Sequence, residues 1–337
     1  MKREQPPDAF APALGDRVMR AVLRGLSPGG ERARLSIVIF HRVHAVRDDL
    51  FPDEVDASDF RTRIDWLRRW FNILPLESAV LALAQGKLPE RALCVTFDDG
   101  YADNATVALP ILRDLGVHAT FFVATSFLDG GRMWNDTVIE AVRAASGSAL
   151  DLSAAGLGVH SIGTAHERRI AVERLIRKLK YAPLERREHL AAEVASAAET
   201  ELPSDLMMSS LQLRMVAAAG MTIGAHTRTH PILASVGDAT AAREIDSGRE
   251  EIRGIVRQPV TLFAYPNGKP DVDYRRAHVQ MVRRTGFVAA VTTSPGAAHM
   301  QDDLHELPRF SPWDRSPFRY GMRLARNHFT PLTRASR

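Results

Sequence analysis

With 337 residues, 45% of them hydrophobic and 25% charged, the chain has room for one large domain or two ordinary ones, and its composition excludes a disordered, collagenous or disulfide-stapled protein. Its single cysteine, Cys94, allows no internal disulfide, and no apolar run reaches the roughly 18 residues of a membrane span. The net charge of +4 is uneven: residues 309–337 carry +6 and residues 1–34 carry +3, which leaves −5 on the body and excludes a basic nucleic-acid platform there.

Residues 17–26 (RVMRAVLRGL) have a basic amphipathic pattern. The first short apolar run, 35–40 (LSIVIF), ends in His41-Arg42-Val43-His44. Residues 59–71 put Phe60, Ile64, Leu67 and Phe71 on one helical stripe. The run 92–97 (ALCVTF) holds Cys94 as a small core residue and ends in Asp98-Asp99-Gly100-Tyr101. Residues 104–115 read as a helix that Pro110 kinks or whose start it shifts. A further apolar run covers 119–123 (ATFFV). From about 131 to 208 the rhythm breaks into Arg- and Glu-rich helical pattern, expected as a helical insertion or, alternatively, a separate helical domain. Trp134 opens it, as a face for a sugar ring or as an anchor of the insertion. Residues 209–219 start with Ser209 and Gln212 at capping-box spacing. The runs 222–225 (TIGA), 261–265 (TLFAY) and 287–292 (FVAAVT) follow, the first ending in His226-Thr227-Arg228-Thr229-His230.

Runs of four to six nearly continuous apolar residues suit strands buried on both faces, and their alternation with amphipathic stretches predicts an α/β fold with a parallel sheet. In such sheets functional groups collect where strands end. His226 and His230 share a face if they lie on a helical turn, and both can then reach one metal ion. Adjacent carboxylates at a buried strand end are costly, and a divalent cation on one of them relieves the cost and leaves the other as a base. Two histidines and one carboxylate with open positions form a catalytic rather than a closed structural site.

TFDDG at 96–100, HTRTH at 226–230 and FAYPNG at 263–268 resemble the successive motifs of the polysaccharide deacetylases, carbohydrate esterase family 4, over roughly residues 35–310. The resemblance implies a distorted (β/α) barrel of about seven strands between a basic N-terminal segment, 1–34, and a basic C-terminal tail, 311–337. It implies removal of acetyl groups from sugars with one divalent metal: Zn2+ first, with Co2+, Ni2+, Mn2+ or Fe2+ as alternatives. Asp98 then matches the general base and Asp99, His226 and His230 the metal ligands. Tyr101 matches the backbone N–H donor to the oxyanion, and Pro266 and Asn267 join Tyr101 and Trp134 on the substrate side. Two departures stand out. The family's base-pairing arginine is replaced by Ala264, and Arg309 is expected to take over, because a cation beside Asp98 keeps that base ionised. SIVIFHRV at 36–43 resembles the permuted branch that includes poly-N-acetylglucosamine deacetylases, so His41 is expected as the acid, with His305 as the alternative. In a closed barrel the first strand lies beside the last and opens on the same face as Asp98 and His226.

The expected substrate is an N-acetylated sugar in a polysaccharide or in its lipid- or nucleotide-linked precursor. The competing readings are a small non-sugar amide or imide, which needs a closed pocket rather than a cleft, and a non-catalytic carbohydrate-binding protein. A cytoplasmic location is expected, with the basic ends, which include Phe310, Trp313, Phe318, Met322 and Phe329, touching an anionic membrane surface.

Overall fold

A computed structural model describes residues 14–336; residues 1–13 of the basic N-terminal segment and Arg337 lie outside the described residues. In chain order the elements begin α1 (Leu14–Leu26), β1 (Ser36–Phe40), α2 (Ala57–Trp70), β2 (Asn72–Ile73), α3 (Leu76–Ala84), β3 (Ala92–Phe97), α4 (Leu109–Asp114) and β4 (Ala119–Val123). The insertion holds α5 (Trp134–Ala144), β5 (Ala149–Leu152), β6 (Gly158–Ser161), α6 (Ala165–Leu179) and α7 (Leu184–Ala197). Then come α8 (Ser210–Ala218), β7 (Thr222–Ala225), α9 (Asp238–Val256), β8 (Leu262–Ala264), α10 (Arg276–Thr285), β9 (Ala289–Val291) and α11 (Pro317–Asn327).

The six apolar runs are the parallel strands β1, β3, β4, β7, β8 and β9, adjacent in that order, while the two-residue β2 pairs with the start of β3. Residues along β1, β3 and β4 are buried throughout, as strands covered on both faces must be. Side chains alternate between two cores. Leu93, Val95 and Phe97 pack towards the outer helices, and Ile37, Cys94, Phe122, Ala264 and Val291 pack together on the other face. Gly224 is required there, because a Cβ at that position would meet the Phe122 ring at 2.4 Å.

The curled sheet is a distorted (β/α) barrel, and its closure differs from the expectation of first strand beside last. Residues 307–310 lie between β9 and β1. Leu307 bridges Val291 and Phe310 bridges Val38, with Leu307 N–H donating to Ala290 and Phe310 N–H to Ile37, each at 2.9 Å. Pro308 has no N–H for a ladder, so this segment closes the barrel without being a regular strand.

The insertion has its own core, from Val138 on α5 through Leu175 on α6 to Val194 on α7. It is not wholly helical: β5 and β6 pair antiparallel, a hairpin the helical reading missed. Pro110 falls at the start of α4, and the preceding turn, Asn104–Ala108, is a π-turn, as expected where the i→i−4 ladder loses a donor. The ends pack on the body through Met19 and Leu23 of α1 and Tyr320 and Leu324 of α11. No helix among the described residues is long and apolar enough to cross a membrane.

Candidate metal and catalytic centre

Residues at the C-terminal ends of β1, β3 and β7 form the site. Asp98 extends the register of β3 beyond Phe97, its N–H donating to Phe40 C=O at 3.0 Å, which brings it beside His41. The chain then turns sharply: Asp99 has φ 76° and Gly100 φ 91°, and a Cβ at Gly100 would meet Val123 at 2.9 Å. Carboxylates at 98 and 99 thereby leave the strand end in different directions.

The two histidines come together by another route than the expected helical turn. Residues 226–230 form a loop in which Thr227 and His230 both have left-handed backbone, φ 61° and 52°. Glu244 of α9 clamps it, accepting from the N–H groups of Arg228 and Thr229 and from the Thr229 hydroxyl at 2.7–3.0 Å. With Asn267 at φ 57°, four non-glycine residues here occupy a strained region, a pattern common at functional sites.

Asp99 Oδ1 lies 3.4 Å from Nε2 of His226 and 3.4 Å from Nε2 of His230, and the two imidazole nitrogens are 3.2 Å apart. A triangle with those edges places its centre about 1.9 Å from each donor atom, close to the roughly 2.0–2.2 Å of zinc–nitrogen and zinc–oxygen bonds, so one divalent ion fits the set. The His226 Nδ1 lies 2.7 Å from the Ala264 carbonyl, a contact that needs Nδ1–H and leaves the Nε2 lone pair facing the cluster. Burial alone would depress His226, but Asp98 and Asp99 raise its pKa; His230, less compensated, is pushed by burial down to about 4. Asp99 is held below the ordinary carboxylate range despite burial, by the His226 bond and then by the His230 charge.

Asp98 has a different partner. Arg309 grips it with two donors, Nη1 to Oδ1 and Nη2 to Oδ2, each at 2.6 Å, with both side chains buried. The same guanidinium donates to the Thr292 carbonyl at 2.8 Å, which aims it. Burial pushes the Asp98 carboxyl up, yet Arg309 first, then His226 and His41, bring it below its ordinary value. Barrel closure by residues 307–310 is what carries Arg309 to this place.

Asp98, Asp99, His226, His230, His41, Asn267 and Trp134 line one cavity of about 400 Å3. His41, Asp99 and Asn135 also border a second cavity of about 370 Å3, where Tyr101 lies, so the two cavities are neighbours that share these walls. The Tyr101 hydroxyl donates to Asp136 at 3.1 Å, and its backbone N–H has no acceptor among the described residues. Pro266 is buried in the turn before Asn267 and does not line the cavity. His305 stands elsewhere: its ring is buried, with Nε2 2.9 Å from the Phe287 carbonyl. Lys180 and Arg187 of the insertion also line the main cavity, and sequence reasoning missed them because they look like ordinary cations of a charged helical stretch.

The polysaccharide deacetylase family profile matches residues 85–290. YxkH of Bacillus subtilis strain 168, assigned to the polysaccharide deacetylases, is 23% identical over 279 residues, 82% of this chain and 71% of its own. The fold resembles IcaB from Ammonifex degensii (TM-score 0.57, 17% identity, 90% of this chain and 98% of that one). It also resembles the deacetylase PplD of Streptococcus pyogenes (TM-score 0.56, 18% identity, 83% and 92%). The chain belongs to the polysaccharide deacetylase family.

Proposed function

We propose that this deacetylase hydrolyses the acetamide of an N-acetylated sugar, in an exopolysaccharide or its lipid- or nucleotide-linked precursor, with one divalent metal, Zn2+ first. The observation that carries the reading is the pairing of two unlike carboxylates, Asp98 clamped by Arg309 and Asp99 facing two imidazoles, at the floor of one cavity. A cation held by Asp99, His226 and His230 would supply Lewis acidity towards water and the acetyl carbonyl. Asp98, kept ionised and oriented by Arg309, takes the proton of the attacking water as its oxygen bonds to the carbonyl carbon. The Tyr101 N–H is available to the oxygen on which charge develops. Protonated His41 gives its proton to the nitrogen as the C–N bond breaks, leaving acetate and a free amine. Two neighbouring cavities that share His41, Asp99 and Asn135 as walls suit a sugar with neighbours better than the single closed pocket of a small amide.

The test is acetate release from an N-acetylated oligosaccharide, lost on chelation and restored by added metal. Asp98→Asn should keep its metal and lose about 10²–10⁴ in turnover, the range of a general base. Loss of metal in that variant would make Asp98 a ligand instead.

The reading extends to the inner face of the cytoplasmic membrane. What supports it is a groove of about 730 Å3 between α1 and α11, lined by Val22, Phe318, Met322 and Phe329 and bordered by Arg319, Arg323 and Arg326. Phe318 and Phe329 are exposed, and basic residues with interfacial aromatics favour anionic lipid.

A further inference from the structure

We infer that Arg187 and Lys180, both from the insertion, form an anion clamp for a phosphoryl group carried by the substrate next to its N-acetylated sugar; this rests on the deacetylase reading above. Both residues line the cavity that holds Asp98, Asp99, His226 and His230. Arg187 is only 4% exposed. Among the described residues it makes no ion pair, its Nε is buried without a partner, and its Nη1 reaches the Lys180 carbonyl only at 3.5 Å. The Lys180 ammonium likewise makes no ion pair or hydrogen bond among the described residues and lies 5.7 Å from the Tyr181 ring.

A buried guanidinium without an ion-pair partner is costly, so a fold that keeps one at a cavity wall leaves it available for an anion from outside. The Arg187 side chain is also pre-positioned. Its guanidinium lies over the Trp134 indole, 5.1 Å from the ring centre, so Trp134 supports the arginine as well as bordering the cavity. The two acids of this cavity are already engaged, Asp98 by Arg309 and Asp99 by the histidines, and Glu188 and Asp273, whose charges reach Arg187 and Lys180, form no ion pair with them among the described residues. A planar fork and a compact ammonium lining one cavity match the several oxygens and the charge of a phosphoryl group, as in a glycosyl phosphate. The insertion thereby acquires a role: it selects acidic, activated sugars.

The probes are N-acetylglucosamine 1-phosphate, the neutral disaccharide N,N′-diacetylchitobiose, and an N-acetylated disaccharide with a neighbouring uronate. In Arg187→Met, KM for the sugar phosphate should rise roughly ten- to hundredfold, the scale of a hydrogen-bonded charge contact, with kcat within about twofold. The neutral disaccharide should lose far less, and Arg187→Lys should recover part of the loss on the sugar phosphate. Lys180→Met should show the same selectivity more weakly, and it carries the test if Arg187→Met does not fold. Calorimetric titration with inorganic phosphate should weaken in parallel. Equal losses on neutral and phosphorylated sugars, or unchanged phosphate affinity in both variants, would overturn the clamp. A loss on the uronate disaccharide alone refutes the phosphoryl assignment. If the wild type releases acetate from no probe, the deacetylase reading falls, while the phosphate titration still decides the clamp.

Discussion

Replacing Arg309 by Met removes a guanidinium that is wholly buried and makes four polar contacts: two to Asp98, one to the Thr292 carbonyl and a longer one, 3.3 Å, to the Thr96 hydroxyl. The methionine fills much of the volume, so the main loss is electrostatic. Breaking a buried pair from one side typically costs about 3–5 kcal/mol, because the remaining charge stays buried and alone. At a urea slope of about 3 kcal/mol per molar, that moves the unfolding midpoint down by about 1–1.7 M. The sign with pH follows from Asp98, whose folded pKa is lowered by Arg309 against the push of burial. The stabilisation is present above the unfolded carboxylate value and is lost as pH falls through the folded one, so the variant's deficit should be largest near neutrality and shrink in acid. The same loss should raise the Asp98 pKa and move the acid limb of activity to higher pH. Asp98→Asn/Arg309→Met removes both charges and should recover about half or more of the lost stability while remaining inactive. Additive stability losses in the double variant, or a deficit that does not vary with pH, would refute the reasoning.

His41→Ala should keep metal content and fold and lose most activity on N-acetyl sugars, but lose less on nitrophenyl acetate, whose leaving group needs no proton; equal losses would remove the acid role. His230→Asn, chosen because asparagine tolerates the left-handed backbone at φ 52°, should abolish the rise in thermal midpoint that added Zn2+ gives the wild type. A Zn2+ shift as large as that of the wild type would show that His230 is not a ligand. Flotation with anionic vesicles should show salt-sensitive binding that Phe318→Ser/Phe329→Ser weakens, and no binding at low salt would exclude the membrane reading.

The parts legible in the sequence are those that each segment needs for itself. Six apolar runs must be buried on both faces, and the polar residues that end them must then gather at one end of a parallel sheet, which is where Asp98, Asp99, His226 and His230 lie. The β5–β6 hairpin was not legible, because its strands are only four residues long and owe their place to packing against α6 and α7. Nor was the histidine loop, since spacing of four reads as a helical turn and nothing local announces the Glu244 clamp 15 residues away.

Arg309 lies between these cases. A strand pattern cannot reveal a closing segment with proline at 308, yet the chemistry of a buried base demands a cation, and the missing motif arginine at Ala264 made the demand specific. Ala264 has another part in the site: its backbone carbonyl pairs with the His226 Nδ1, an interaction no side-chain motif encodes. With the arginine at residue 309, which is 211 residues from Asp98, instead of on β8, the protonation state of the Asp98 carboxylate is tied to barrel closure. In this chain, then, any change that loosens residues 307–310 from β1 should lower activity before it unfolds the sheet, because Asp98 loses its partner first.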